Sequence, residues 1–190
     1  MKDLKKQKKR ISADKLPEKL KPEPEERYLE SYNKVFLFTF SNFKMKAVNI
    51  KGSFNNHFKS KEEYTRVLTI FLAKGLPFCS NESSNILSDI TKGKNLHFHR
   101  IKGKDEVLRK IFKEYNFREQ FIDELLEGDC LYQFEIPYLN GSPRVIFQKI
   151  ENIISVLFID TNHHIYSNEQ KQKASHSFGY KYCPVEDFVK

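Results

Sequence analysis

Residues 130–166, CLYQFEIPYLNGSPRVIFQKIENIISVLFIDTNHHIY, decide the fold. Two apolar runs, Leu131 to Tyr138 and Arg144 to Ile150, flank Asn140-Gly141, a dipeptide suited to the positive φ angles of a tight hairpin turn. A second break at Glu151-Asn152 precedes Ile153 to Asp160. That run is almost continuously apolar and β-branched, as expected of a strand covered on both faces. The expected unit is a three-stranded antiparallel meander. Its last strand delivers Asp160, Asn162, His163, His164 and Tyr166 to one rim of the sheet, where loops on a rigid scaffold carry chemistry.

Working outward, Phe117 to Glu127, with Phe121, Ile122, Leu125 and Leu126, has helical spacing and is closed by Gly128. Before it, Val107, Leu108, Ile111, Phe112 and Tyr115 predict an amphipathic helix beginning near Lys104 or Asp105. Leu96 to Ile101 alternates like a short strand and places His97 and His99 on one face. The segment Cys79 to Lys94 is polar, with a short helix expected through Ile86, Leu87 and Ile90. Ser60-Lys61-Glu62-Glu63 has the capping-box pattern, and Tyr64, Val67, Leu68, Phe71 and Leu72 follow at helical spacing before Gly75 and Pro77. The run from Lys34 to Ile50 predicts one or two strands. At the far end, Phe178, Tyr180 and Tyr182 alternate before Pro184, which predicts a further strand completing the sheet.

Composition sets the limits. With 190 residues and 17 phenylalanines, the chain can build one substantial core. Residues 1 to 33 carry lysine, glutamate and three prolines with few large apolar groups, which predicts a flexible basic arm ahead of a single α+β domain over 34 to 190. Six basic side chains against Asp3 in the first ten residues account for most of the net charge of +8. The basic signal therefore belongs to the arm more than to the domain. No long apolar window and no apolar segment after the lysine-rich start are present, so no membrane partner and a cytoplasmic location are expected. Cys79, Cys130 and Cys183 lie far apart without a C-x-x-C pair, as reduced packing thiols would.

Three constellations could carry chemistry. VLFIDTN has the look of the strand-plus-Asp-Thr-Asn opening of PIN-type nucleases, but it sits near the end of the chain with few acidic residues after it. Asp160 to Asn162 is better read as a turn closed by side-chain to backbone hydrogen bonds. His97, His99, His163, His164, His176 and Cys183 have no repeated ligand pair at metal-site spacing, so neither a metal nor a cofactor is expected. The third set is Arg144 at the start of one meander strand with His163, His164 and Tyr166 beyond the end of the next. These converge at one sheet end because adjacent antiparallel strands begin and end together. Such groups suffice for metal-free RNA cleavage, in which a base activates the 2′-hydroxyl, an arginine stabilises the phosphorane and an acid protonates the leaving oxygen. A purely structural alternative has Arg144 paired with an acid, one histidine bonding at the strand end and Tyr166 packed.

Two helices followed by a meander, with Arg144-Val145-Ile146-Phe147-Gln148-Lys149-Ile150-Glu151-Asn152-Ile153-Ile154-Ser155-Val156-Leu157 leading to a His-rich end, resemble the RelE/YoeB group of bacterial toxins. The resemblance covers mainly residues 130–166. It implies helices on a twisted, mostly antiparallel sheet of about four or more strands, and a metal-independent endoribonuclease acting on ribosome-bound mRNA. It further implies RNA, the ribosome and an antitoxin protein as partners. By that likeness Arg144 matches the phosphate-contacting arginine, and His163 or His164 with Tyr166 matches a C-terminal His-Tyr pair. The HHIY spacing departs from an adjacent pair, and the acidic base is left among Glu127, Asp129 and Glu135. The alternative is a non-catalytic phage or host-defence accessory protein that binds RNA or a protein partner.

Overall fold

The computed structural model describes residues 35–51, 53–81, 97–139, 143–166 and 179–188, all within the unit Asn33–Lys190. The expected arm, the helix expected near Ile86, the Asn140-Gly141 turn itself, Phe178 and His176 lie outside the described residues.

The protein has an α+β fold with a five-stranded sheet. Its centre is the expected meander, β5 (Leu131–Glu135), β6 (Arg144–Ile150) and β7 (Ile153–Asp160), all antiparallel. β4 (His99–Arg100) adds antiparallel to β5, and β1 (Leu37–Thr39) adds parallel to β7, giving the order β1-β7-β6-β5-β4. β2 (Asn49–Ile50) and β3 (Phe54–Asn55) form a separate pair. After its first residue β7 is buried throughout, as its continuous apolar run requires.

Alternate residues of the strands feed two apolar layers, except at a bulge in β7 that puts Leu157 and Phe158 in the same layer. Phe134, Val145, Phe147 and Val156 pack on one face with Phe36, Phe98 and, from the first helix, Val67. That helix, α1 (Lys61–Ile70), begins at Ser60, whose hydroxyl accepts the Glu63 N–H at 3.3 Å while Glu63 accepts the Lys59 N–H. Leu131, Ile146, Leu157 and Phe158 pack on the other face. There they meet α3 (Asp105–Glu114) through Leu108, Ile111 and Phe112, and α4 (Glu119–Glu127) through Ile122 and Leu125.

Four expectations are corrected. α1 does not stop before Gly75 and Pro77: it runs through a π turn (Phe71–Gly75) into α2 (Leu76–Asn81). The Leu76 N–H reaches the Phe71 carbonyl, and this wider turn tolerates Pro77 in the first turn of α2. The β5–β6 register is also not that of a two-residue turn. A turn centred on Asn140-Gly141 would set Glu135 opposite Ile146, whereas Glu135 faces Arg144. The ladder ends where the Ile136 N–H meets the Pro143 carbonyl, because Pro137 has no N–H to continue it, and Tyr138 turns away at φ 66. The strand around His99 is two residues long, since His97 adopts φ 47. Finally, among the described residues Tyr182 adds no strand to the sheet: it forms an isolated bridge with Phe58, and Pro184 opens α5 (Pro184–Phe188). No helix among the described residues is long and apolar enough to cross a membrane, and the three cysteines are free thiols.

Candidate functional site at the meander rim

Glu135, Arg144 and Asp160 are successive cross-strand partners on β5, β6 and β7, so their side chains share the face that carries Ile146 and Phe158. A row of charge thus continues an apolar layer. Arg144 is 6% exposed, and its Nη2 lies 3.2 Å from Glu135 Oε2, which His97 Nε2 also approaches at 3.4 Å. Burial pulls the Arg144 pKa down, while Glu135 and Asp160 pull it back up. A guanidinium stays charged under such opposing pulls.

Asp160 is wholly enclosed. Burial pushes its carboxyl up to about 6, opposed by the N–H groups of Ile165, His164 and Asn162 and by the charge of Arg144. Oδ1 accepts the His164 N–H at 2.9 Å and Oδ2 the Ile165 N–H at 3.0 Å. The carboxylate therefore caps the short 3₁₀ turn His164–Tyr166, whose first amides have no partner inside the turn. These Asp160 bonds are the expected side-chain to backbone turn, whereas Asn162 donates to the distant carbonyls of Asn55 and His57 and ties the turn to that segment.

The two adjacent histidines separate in role. His164 is buried, and its Nδ1 accepts the Asn55 N–H at 3.0 Å, so that nitrogen carries no proton and the ring fastens β3 to the turn. His163, at φ 55, is half-buried with its ring 6.0 Å from that of Tyr166. The Tyr166 hydroxyl accepts the Lys102 N–H, its ring lies 5.7 Å from His99, and Lys104 Nζ stands 5.2 Å from the ring centroid.

His99 and its cross-strand neighbour Gln133 extend the site beyond the residues read from sequence. The His99 Nδ1 contacts the Arg100 carbonyl and its Nε2 contacts Gln133 Nε2, both at 3.0 Å. With Nδ1 as donor, Nε2 accepts the Gln133 amide. Gln133 is 1% exposed, and among the described residues its Oε1 has no hydrogen-bond partner. The H-x-H alternation held the signal for His99, but only the β4–β5 register shows what it faces. Of the three candidate acids, Glu135 touches Arg144, whereas Asp129 pairs with Arg100. Among the described residues no group of three or more His, Cys, Asp or Glu side chains is arranged to hold a metal.

A family model described as uncharacterised protein UU032 matches residues 39–190. The chain belongs to this UU032 family. The UU032 match begins at the last residue of β1 and spans every residue of the rim, from His97 to Tyr166. No curated protein and no solved structure matches the chain.

Proposed function

We propose that the chain is a metal-independent endoribonuclease of the RelE/YoeB kind, acting on ribosome-bound mRNA at the meander rim. The convergence of His99, Tyr166 and His163 with Lys104 over the tyrosine ring carries this reading, because it joins two imidazoles, a phenol and a cation at one sheet end. In this chemistry the His163 imidazole removes the 2′-hydroxyl proton, the oxygen attacks phosphorus, and the Tyr166 phenol protonates the departing 5′-oxygen, while His99, with both ring nitrogens engaged, packs against the tyrosine ring. Lys104, with Arg144 behind the rim, offsets the growing negative charge. His163, not His164, takes the proton-transfer role, because the His164 Nδ1 is committed to a backbone amide. RNA and the ribosome are the partners of this reading, together with an antitoxin that covers the rim.

A second reading has one observation of its own. Arg144 is nearly enclosed and ion-paired, and His164 is enclosed and bonded, which suits a non-catalytic phage or host-defence module that binds RNA or protein. Purified ribosomes with mRNA and chelator separate the two. The enzyme yields new RNA ends, and His163→Ala lowers the rate by about 10²- to 10⁴-fold without lowering the melting temperature. Intact mRNA with the native protein, together with normal growth on expression, would leave only the binding role.

A further inference from the structure

We infer that Asp160 is a positioning residue whose carboxylate latches the His164–Tyr166 turn, setting His163 and Tyr166 at the rim, and that proton uptake by this carboxylate loosens the latch. The inference rests on the proposed role of the rim. Its observations are geometric. Asp160 is the last residue of β7, opposite Arg144, and each carboxylate oxygen takes one of the two amides that open the turn. The chain enters that turn through His163 at φ 55, a costly conformation for a residue with a side chain, so the turn depends on outside ties. Asn162 and His164 supply two, both to the Asn55–His57 segment. Tyr166 adds another through the Lys102 N–H, and the Asp160 carboxylate supplies a charged one from within β7.

Titratable and charged groups face Asp160 from each neighbouring element. Arg144 lies opposite on β6, with Glu135 of β5 and His97 behind it. Tyr115, just past α3, feels the Asp160 charge, and its phenol is pushed well above its ordinary range by burial. His164 and His163 stand on the turn itself. Protonation turns one acceptor oxygen into an O–H donor, so one of the two turn amides loses its carboxylate acceptor, and the attraction to Arg144 is lost with the charge. Burial brings this event to about pH 6.

The test follows the full chain by NMR between pH 8 and 5, recording the Asp160 carboxyl carbon and the His164 and Ile165 amides, with RNA cleavage on ribosomes measured in parallel. The three signals are expected to share one midpoint near 6. Hydrogen exchange at the two amides, corrected for intrinsic rate, is expected to rise by about tenfold on the acid side, one hydrogen bond's worth of protection. Asp160→Asn removes the shared midpoint. A carboxyl signal that does not titrate, or amide midpoints that survive in Asp160→Asn, would overturn the latch, and the carboxyl signal of the native chain decides the matter if that variant does not fold. An intact amide titration without cleavage at any pH supports the latch and removes the nuclease. Cleavage with no amide titration does the opposite.

Discussion

The two faces of the sheet draw on the same strands and are filled differently. On one face Phe98, Phe134 and Phe147 pack ring against ring, with Phe98–Phe147 and Phe134–Phe147 centroids 5.3 and 5.5 Å apart. On the other, Ile146 and Phe158 give way within one strand step to Arg144 and Asp160, and Leu131 gives way to Gln133 and Glu135. Desolvating charges and an amide is unfavourable unless every partner is supplied, and apolar side chains at the same places would pack at least as well. The first face shows that this chain can fill a sheet face with hydrocarbon. The polar row on the second is therefore better explained by what it positions than by the stability it adds.

The comparison can be broken at its strongest point first. Phe147→Ala on the aromatic face should cost about 3–5 kcal/mol in denaturant melts, because it removes the ring at the centre of the packing. Arg144→Ala on the polar face should cost about 3 kcal/mol, since it strands Glu135 and the buried Asp160 without their cation. Replacing Glu135 and Arg144 together by Leu and Met should recover the part of that loss due to the stranded Glu135, with Asp160 taking up a proton. If the double variant were no more stable than Arg144→Ala, the row would be holding the fold together after all.

Acidity sharpens the contrast. Asp160 has a folded-state pKa of about 6 against an ordinary 3.8, so folding favours its protonated form. Its stabilising contribution is fully present below about pH 4 and is lost as pH rises through 6. Thermal melts should therefore show this site adding about 2 kcal/mol at pH 4.5 relative to pH 7, and Asp160→Asn should flatten that dependence. The turn loosens over the same range in which the fold gains, so local and global responses have opposite signs. Smallest is a change at the start of α1: Ser60→Ala should cost about 1 kcal/mol through the lost cap and leave the rim spectra unchanged.

Much of the architecture was legible because the signals were local. The Ser60 cap, the spacing of Val107 to Tyr115 and the paired apolar runs of the meander each report on neighbours a few residues away. The misread places involve competition. Pro77 reads as a helix end until a π turn absorbs it, and Asn140-Gly141 reads as the hairpin centre until Pro137 and Pro143 close the ladder early. At the rim, strand adjacency brought Arg144 to the end of β7, and Glu135 stood among the candidate acids. No pattern in His163-His164 distinguishes the half-buried ring from the enclosed one, because the difference is set by Asn55, far away in the chain. Gln133 was invisible for the same reason.

The parallel pairing of β1 with β7 governs the order in which the molecule can be assembled during synthesis. Leu37 meets Ile153, and Phe58 meets Tyr182, so both contacts join distant parts of the chain. Closing such loops carries an entropic cost before any packing repays it, and folding rates fall as the share of these contacts grows. On the ribosome β1 must wait, its Phe36 and Phe38 without their final neighbours, until β7 has left the exit tunnel. α3, α4 and the meander can gather first from nearby residues. The first strand of the sheet is then the last to find its place, and refolding of the whole chain should be limited by that docking step.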